Sequence, residues 1–468
     1  MARNASQGSS VGLSSEESWA GAEPAAGQGS VPGPFSLFCV QAPRVAPELL
    51  LAALADEPVV LWQPASGPAL LGIGEAGRVV ASGPGRFAAV RQKAAALLDR
   101  VDRAALPGVE PVLLGGFSFS ADQAVQGPWR ELGDALFRLP RWTYRCEGDH
   151  ALLLGVIERG ADGATVTRFS AERETLLALL TDLAAAPAAA PRSKVSIPLA
   201  DEDPALLARS AALWEQGAQD ILAGIQRGEL DKVVQARCQL LEFGGAGLAE
   251  VLTALADERH TATRFAITEG ALSFVGASPE RLISKRGLDV QTEALAGTCE
   301  GADTARLLGS SKDLREQQLV VDEIVRALGP LCAQLERPEA AMPRALRGLV
   351  HLVTPMQGVL REPCHVLDLV EVLHPTPAVG GLPTNRALNW IETNEPDPRG
   401  WYAAPFGWID ARGDGEFLVA LRSALLNGAE ARLYAGAGIV AGSDPVREFA
   451  EVNLKLQTMR AALARSAG

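Results

Sequence analysis

Residues 431–464 read ARLYAGAGIVAGSDPVREFAEVNLKLQTMRAALA, an apolar run followed by a glycine-containing turn and a periodic segment. The apolar run Ala431–Val440 predicts a strand, as does the stretch 417–424 upstream. A helix is predicted from Pro445 to Ala464, because Pro suits the first helical position and Ser443 or Asp444 can cap it. The chain shows no regular alternation of strands and helices, so we expect an α+β fold with mostly antiparallel sheets.

The composition is that of a folded protein that does not bind polynucleotides. The chain has 468 residues, 47% of them apolar, which suffices for one large domain or for two or three smaller ones. Its formal net charge is −13 and no Lys/Arg-rich run stands out, so nucleic acid is not an expected partner.

Signals for membranes and export are missing from the sequence. No run reaches the length of about 18 apolar residues that indicates a membrane helix, and the N-terminus lacks a basic start followed by an apolar segment. The six cysteines include no C-x-x-C pair, which argues against a disulfide scaffold or a zinc site and favours a reducing compartment. We therefore expect a cytoplasmic protein without membrane contact.

Four segments are predicted along the chain. Residues 1–34 are rich in Gly, Ser, Ala and Pro, and we expect a disordered tail there. Residues 35–183 are interpreted as a sheet-rich part. Residues 184–192 form an Ala/Pro linker or surface loop, which need not divide independent folding units. Residues 193–468 mix helices with extended segments.

Periodicity predicts individual elements in both large parts. The apolar runs Pro111–Phe117 and Ala151–Val156 are typical of buried strands. Residues 206–227 have helical periodicity, and residues 316–328 place an apolar stripe along one helical face.

The predicted last helix carries charge on one face. Glu448, Glu451 and Lys455 are spaced three and four residues apart, which alone is typical of a solvated face with an ion pair. The preceding strand contains Gly436 and Gly438, and glycines there let a ligand approach the backbone closely. The glycines favour a binding role, although a G-x-G by itself does not indicate a nucleotide site.

Four further passages carry charged or hydroxyl residues. Taken singly, each has an ordinary structural explanation. Gly276-Ala-Ser-Pro-Glu280 fits a helix cap with a first-turn carboxylate, and Glu293-Ala-Leu-Ala-Gly-Thr298 fits a turn. Ser311-Lys-Asp-Leu-Arg-Glu316 fits a set of surface charges, and Asp231-Lys-Val-Val-Gln-Ala-Arg237 fits a strand with a lysine at its edge.

Together and in this order, these passages resemble the chorismate-utilising enzymes, which include isochorismate synthase, salicylate synthase and the first components of anthranilate and aminodeoxychorismate synthases. Further matching passages are His374-Pro-Thr-Pro-Ala-Val-Gly-Gly381, Arg399-Gly-Trp-Tyr-Ala403 and GDGEFLVALRS at 413–423. The resemblance is dense from Ser193 to Ala464 and thinner over residues 111–155. It implies large antiparallel sheets packed together, with helices outside.

The resemblance also implies roles for single residues. Glu316 and Glu451 match the family's Mg²⁺ ligands, and hard carboxylate oxygens suit that cation. Arg422 and Lys455 match residues that hold a substrate carboxylate, through a two-pronged fork and a point charge. The other positions matched to substrate binding, of which His351 is also explained as a satisfied structural histidine, are Gly297, Thr298, His351, Thr376, Ala378, Gly436 and Gly438.

The implied reaction adds water at carbon 2 of chorismate and removes the hydroxyl at carbon 4. Lys232 matches the family's general base and Glu280 its general acid. Lys232 must be partly neutral for this role, so we expect desolvation or nearby positive charge to favour its neutral amine. Glu280 must be protonated, so we expect its pKa to be raised.

Two positions favour water over ammonia as the nucleophile. Family members that add ammonia resemble this pattern but carry Gln where this chain has Lys232. Many aminodeoxychorismate synthases carry a nucleophilic Lys where this chain has Ala296. The sequence also shows no obvious amidotransferase nucleophile segment, so no amidotransferase partner is expected, and a monomer is the default.

Salicylate synthase is the harder rival, because it shares the lysine, the acid and the metal and then expels pyruvate. The loop 374–381 and the stretch Pro405–Asp410 look like those of isochorismate synthases, and of the menaquinone type in particular. The motifs do not encode the pathway, which could be that of menaquinone, siderophores or salicylate. A non-catalytic paralogue that only binds a dicarboxylate or a partner protein is the alternative from another class, and the filling of all matched acid, base and metal positions argues against it.

The sequence departs from the family pattern at two places. The run after Thr298 is Cys299-Glu300-Gly301, where an Arg before the Gly is usual. The pair Glu316-Gln317 stands where Glu-His is usual. Neither change falls on a residue with a direct catalytic role.

Overall fold

The computed structural model describes most of the chain. The described residues are 34–54, 57–103, 106, 108–124, 126–186, 203–243, 247–256, 261–301, 304–346 and 349–466. Residues 1–33 of the predicted tail and 187–192 of the predicted linker lie outside them. No helix in these ranges is long and apolar enough to cross a membrane.

The strands fall in both large parts of the chain. They are β1 (Phe35–Gln41), β2 (Val59–Gln63), β3 (Ala69–Ile73), β4 (Gly77–Ala81), β5 (Val101–Asp102), β6 (Val112–Phe117), β7 (Ala135–Leu139), β8 (Trp142–Glu147), β9 (His150–Glu158), β10 (Lys232–Glu242), β11 (Thr263–Glu269), β12 (Leu272–Ser278), β13 (Arg281–Arg286), β14 (Asp289–Glu300), β15 (Cys332–Glu336), β16 (Met342–Leu346), β17 (Leu349–Leu360), β18 (Gly381–Leu382), β19 (Pro405–Asp410), β20 (Gly415–Val419), β21 (Ser423–Asn427) and β22 (Glu430–Val440).

The helices are fewer and mostly lie in the second part. They are α1 (Pro47–Ala52), α2 (Arg86–Leu98), α3 (Gly163–Ala185), α4 (Pro204–Gln226), α5 (Leu248–Ala254), α6 (Thr304–Gly309), α7 (Ser311–Leu328), α8 (Val366–Leu373), α9 (Thr384–Asn394) and α10 (Pro445–Ser466), with a short 3-10 helix at Gly127–Trp129.

Two large sheets organise the described residues. One has 12 strands in the order β18-β10-β22-β21-β12-β11-β2-β3-β8-β9-β1-β5. The other has ten, in the order β15-β17-β14-β13-β20-β19-β6-β7-β4, with β16 paired to β17. Neighbouring strands are antiparallel in both sheets, apart from the parallel pair β1 and β5. The predicted α+β class with mostly antiparallel sheets is confirmed.

Strands from both large parts of the chain share these sheets. In the 12-stranded sheet β2 pairs with β11, and in the ten-stranded sheet β6 pairs with β19. The faces of the two sheets meet through aromatic side chains: the ring centroids of Phe265 on β11 and Phe406 on β19 are 4.9 Å apart. Residues 35–183 and the later part therefore contribute to one common core.

The last helix, α10, forms for the reasons that its sequence indicates. Val452, Leu456, Met459 and Leu463 recur at helical spacing and are buried. Asp444 caps the helix, because its Oδ1 accepts the backbone N–H of Val446 at 2.9 Å and that of Arg447 at 3.3 Å. Ser443 instead accepts the backbone N–H of Val440 at 3.1 Å, which closes the turn after β22.

The predicted continuous strand over residues 417–424 is wrong. β20 ends at Val419 and β21 begins at Ser423, and the two belong to different sheets. Ala420 leaves the ladder by accepting the backbone N–H of Ala403 at 2.9 Å and donating to Ala404 O at 2.8 Å. Arg422 then adopts φ 49°, a left-handed conformation that turns the chain from one sheet to the other.

Candidate active site

A pocket brings together residues from both sheets and two helices. It is lined by parts of β10, β22, β14 and β17, with α7 and α10 beside them. The predicted site residues that line it are Glu280, Gly297, Thr298, Glu316, His351, Ala378, Arg422, Gly436, Gly438, Glu451 and Lys455. The other two, Lys232 and Thr376, lie outside this lining and reach the site only through neighbours.

Lys232 lies behind one wall of the pocket. It is the first residue of β10, paired with Val440 of β22, and its side chain is fully buried. Its Nζ is 3.0 Å from Glu316 Oε1 on α7. Gly438 makes room for this ion pair, because a Cβ there would lie 2.3 Å from Glu316 Oε1 and 2.7 Å from Lys232 Cε. Lys232, expected as the general base, is therefore paired with Glu316, expected as a metal ligand.

α10 supplies a second ion pair, which faces β22. Lys455 Nζ is 2.7 Å from Glu451 Oε1, at i and i+4, and donates to Gly436 O at 2.9 Å. A Cβ on Gly436 would lie 2.8 Å from Gln235 O, so this close packing of strands also requires glycine. The face predicted from the spacing of Glu451 and Lys455 is thus turned to the pocket.

Glu280 lies in the connection between β12 and β13, not at the start of a helix. Its carbonyl accepts the backbone N–H of Val419 at 3.1 Å, and its own N–H donates to Ser278 Oγ at 3.3 Å. Burial raises the pKa of its carboxyl from 4.5 to about 8, and the Glu293 carboxylate adds to the effect. A carboxylic acid that keeps its proton near neutral pH can donate that proton to a leaving group.

A bulge in β14 shapes the wall next to His351. The register against β17 shifts between Ala296 and Thr298, where Gly297 has φ 70°. Thr298 Oγ1 is 3.0 Å from His351 Nδ1, and Arg422 Nη2 is 3.4 Å from His351 Nε2. Burial, together with the positive charges of Arg422 and Lys455, holds the pKa of His351 well below its usual value. The histidine is therefore neutral and links Thr298 to Arg422.

The loop 374–381 contributes Ala378 and Val379 to the pocket lining. Its end is held against β10, because Val234 N donates to Gly380 O at 2.8 Å and a Cβ on Gly381 would lie 2.2 Å from Lys232 O. Thr376 Oγ1 is buried and finds no hydrogen-bond partner among the described residues. The tight backbone approach explains Gly381, the second glycine of the pair that ends this loop.

The carboxylates on α7 and α10 fit a hard cation. Burial alone would raise the pKa of Glu316, but the ammonium groups of Lys232, Lys312 and Lys455 outweigh it and its pKa is lowered. Glu316 and Glu451 therefore offer oxygen donors to the same pocket. No group of three or more acidic, His or Cys side chains in the described ranges forms a metal cage of its own. Two carboxylates completed by water and substrate oxygens suit Mg²⁺.

A second cleft adjoins the pocket and shares Thr298 and Glu451 with it. It lies between the start of α7 and α10, where Lys312 Nζ donates to Glu448 Oε1 at 2.5 Å. Cys299, in the run 299–301 that departs from the family pattern, lines this cleft and not the pocket. Burial and the nearby Glu451 carboxylate raise the pKa of Glu448, although Lys312 opposes them. The opening therefore combines carboxylates with the cationic side chains of Arg306, Lys312 and Arg447.

The sequence interpretation gave no role to several residues that the pocket contains. Tyr402 and Tyr434 line it and stack with their centroids 5.3 Å apart, and the phenol oxygen of Tyr402 would lie 3.3 Å from a Cβ on Gly436. Burial raises the pKa of Tyr402 to about 12, so it stays a hydroxyl donor. The passage Arg399–Ala403 was the available signal, since it matched the family without a role.

The second departure, Gln317, is explained by its contacts. Its Nε2 donates to Ala294 O at 3.1 Å and to Thr354 Oγ1 at 3.0 Å, both in the ten-stranded sheet. The side chain is buried and fastens α7 to β14 and β17 next to Glu316. A glutamine can thus hold the helix at the position where the family usually has histidine.

Comparison with known proteins agrees with this arrangement. The family model described as "Chorismate binding enzyme" matches residues 36–464. The chain is 39% identical to isochorismate synthase MenF of Bacillus subtilis over 371 residues, which are 76% of this chain and 75% of that protein. It is 38% identical over 368 residues to the salicylate biosynthesis isochorismate synthase of Pseudomonas aeruginosa, with 76% and 75% covered.

A solved structure extends the likeness to the fold. The menaquinone-specific isochorismate synthase MenF of Escherichia coli superposes with a TM-score of 0.72 at 26% identity, covering 92% of this chain and 95% of that one. The family model spans nearly all described residues, and both sheets take part in the match. The chain belongs to the family of chorismate-binding enzymes.

Proposed function

We propose that this chain is an isochorismate synthase, which converts chorismate to isochorismate by adding water at carbon 2 with loss of the carbon-4 hydroxyl. The observation that carries the proposal is the meeting of Glu280, the Lys232–Glu316 pair and the cations Arg422 and Lys455 at one pocket. Relatives at 38–39% identity bear the same activity in their names.

The cationic side chains bind the substrate's carboxylates. Arg422 is held by its turn between β20 and β21, and its guanidinium contacts neutral His351. Its fork gives two parallel hydrogen bonds to a carboxylate, which fixes the ring in one orientation. Lys455, anchored on Gly436 O, adds a point charge, and Tyr402, which lines the pocket, offers a hydroxyl group to the bound substrate.

Lys232 and Glu280, the two candidate catalytic groups, act on the two bond changes of the ring, at carbon 2 and carbon 4. Lys232 Nζ takes a proton from the water that adds at carbon 2. Glu280, whose burial keeps it protonated, gives a proton to the hydroxyl that leaves carbon 4. One proton is taken and one is given, so the product is an isomer of the substrate.

Glu316 and Glu451 would hold Mg²⁺, which when bound neutralises and orients the ring carboxylate. The apolar lining beside them, from Val234, Leu295 and Leu421, limits the water that reaches the ring. Water other than the reacting molecule is thereby kept from the developing charge.

The test is to incubate the purified chain with chorismate, with and without Mg²⁺, and to identify the products by chromatography and mass spectrometry. We expect a reversible, Mg²⁺-dependent mixture of chorismate and isochorismate of equal mass. Salicylate with pyruvate would instead make the chain a salicylate synthase, and product formed only with added ammonia would exclude water as the nucleophile.

We propose that the chain acts alone, as a monomer without an amidotransferase partner. The absence of an amidotransferase partner is supported by Lys232 and Ala296, which both differ from the residues of family members that use ammonia. Light scattering of the active protein is the direct measurement. Activity that appears only in a larger assembly would contradict it. The pathway follows from the enzyme that consumes isochorismate, and menaquinone formation is our proposal.

A further inference from the structure

Arg399 is a buried cation that the proposed reaction does not use. Its side chain is only 1% exposed, and it is absent from the pocket lining. Two hydrogen bonds join it to the carboxylate of Glu395, which follows the last residue of α9. Arg399 Nε donates to Glu395 Oε2 at 2.8 Å, and Arg399 Nη2 donates to Glu395 Oε1 at 2.5 Å. Its guanidinium also lies 4.4 Å from the centroid of the Phe119 ring. Burying such a pair gives little net stability, so stability alone does not account for its presence.

The remaining donors of Arg399 span two walls of the pocket. Nη2 donates to Val234 O on β10 at 2.7 Å, and Nη1 donates to Val379 O in the loop 374–381 at 2.7 Å. Val234 and Val379 both line the pocket, and Val234 is two residues from Lys232. One guanidinium therefore ties the strand that carries the candidate base to the loop 374–381, in addition to the direct hydrogen bond from Val234 N to Gly380 O.

Further hydrogen bonds join this cluster to the same walls. Glu395 Oε1 accepts the backbone N–H of Ala236 at 2.9 Å, again on β10. The carbonyl of Arg399 accepts the backbone N–H of Tyr402 at 2.9 Å, and Tyr402 lines the pocket. The side-chain hydrogen bonds by which the Arg399–Glu395 pair reaches other residues thus end on β10 and the loop 374–381, which both contribute to the pocket lining.

We propose that Arg399 is a positioning residue for turnover, which holds β10 and the loop 374–381 in the spacing that places Lys232 against the substrate ring. This inference rests on the proposed function for the identity of the reacting groups. A lysine cannot replace the arginine, because one ammonium group lacks the fork that reaches Glu395 and two separate carbonyl groups. Misplacement by about 1 Å costs roughly 100-fold in rate, so the effect should appear in turnover.

The test compares Arg399→Lys with the wild-type chain in steady-state kinetics on chorismate with Mg²⁺. We expect kcat to fall about 10–100-fold. We expect KM to change less than threefold, because Arg422 and Lys455 still bind the carboxylates. The matched control is Arg264→Lys. Arg264 is equally buried and donates to Glu48 Oε1 at 3.2 Å and Leu252 O at 2.8 Å, away from the pocket. It should lose stability but keep kcat per folded molecule.

Each outcome decides the inference. If Arg399→Lys keeps kcat within threefold of wild type, or if Arg264→Lys loses as much kcat, the positioning role is wrong. Should Arg399→Lys fail to fold, Glu395→Gln serves instead, since its amide oxygen still accepts a hydrogen bond but no longer carries charge. It should lower kcat with KM unchanged, and an unchanged kcat would overturn the inference.

The rate followed is that of whichever product the wild-type chain forms. A different wild-type product refutes the proposed function alone, whereas an unchanged variant rate refutes the positioning role alone. A wild-type chain that binds chorismate without turnover refutes both.

Discussion

Lys232 on β10 and Glu316 on α7 form a 3.0 Å ion pair. The neighbouring strand β22 carries Gly438 at this place, and a larger residue there would collide with the pair. The pair joins the candidate base to a candidate metal ligand. Lys232 is fully buried and Glu316 is only 8% exposed, so the ion pair is largely shielded from bulk water. The base and the metal site are therefore parts of one unit, and changes to either should affect both.

Gly438→Ala should disable this unit without removing a functional group. Its Cβ would lie 2.3 Å from Glu316 Oε1, so the carboxylate must move. We expect turnover to fall about 100-fold and stability by about 1–3 kcal/mol. Gly163→Ala is the control, since a Cβ there meets nothing within 4 Å. Kinetics and urea unfolding of the two variants measure both effects, and normal turnover in Gly438→Ala would show that the pair is dispensable.

Lys232→Ala should abolish proton transfer and leave the Glu316 carboxylate with weaker compensation. We expect turnover to fall about 10²–10⁴-fold. Loss of one partner from a buried pair costs about 3–5 kcal/mol, and the nearby Lys312 and Lys455 place this case at the lower end. Lys285→Ala is a matched control, because Lys285 is also buried and lies 2.7 Å from Asp414. That variant should lose stability but not turnover; equal losses of turnover would argue against Lys232 as the base.

Chelation of Mg²⁺ should stop turnover, and added Mg²⁺ should restore it. Glu451→Gln should raise the Mg²⁺ concentration needed for half-maximal rate by about 10–100-fold or more. The control is Glu323→Gln on α7, where Glu323 pairs with Arg326. Calorimetric titration of Mg²⁺ gives a second readout that does not depend on turnover. Identical Mg²⁺ affinity in Glu451→Gln and the wild type would remove Glu451 from the metal site.

Local sequence patterns predicted the elements with strong apolar signals. The apolar stripe along α10 repeats at helical spacing, whereas β6, β9 and β22 are continuous apolar runs typical of buried strands, so a single sequence contains the information. The break between β20 and β21 could not be predicted this way. Residues 417–424 are apolar on both sides of the break, and the hydrogen bonds that draw Ala420 out of the ladder come from Ala403 and Ala404, which are distant from any local pattern.

The family resemblance identified single residues of the pocket, but it did not predict the contacts between them. It named Lys232, Glu316 and Glu451 singly, but the 3.0 Å pair of Lys232 and Glu316 depends on how β10 and α7 meet. The stacking of Tyr402 on Tyr434 and the contacts of Arg399 are also set by sheet pairing over long sequence separations. Such distances become visible only when the strands are placed.

Glu280 should make both stability and activity depend on pH. The pKa of Glu280 is raised from 4.5 to about 8 in the folded chain. At a pH between these two values, Glu280 therefore keeps its proton in the folded chain and has lost it in the unfolded chain. Stability should fall as pH rises through this window, by at most about 1.4 kcal/mol per pH unit, and should level off above pH 8. Urea unfolding of the wild type and Glu280→Gln at pH 5 and pH 8 measures it, since the variant lacks this contribution.

The same carboxyl should set the alkaline limit of turnover. As the candidate general acid it must be protonated, so kcat should decline as pH rises above about 8, and Glu280→Gln should lower turnover about 10²–10⁴-fold. Glu293→Gln tests the cause: the Glu293 carboxylate raises the pKa of Glu280, and its removal leaves the positive charge of Arg344, 2.8 Å away, uncompensated. Both changes favour ionised Glu280, so the alkaline limb should move to lower pH. A limb that stays in place would mean that another group limits turnover.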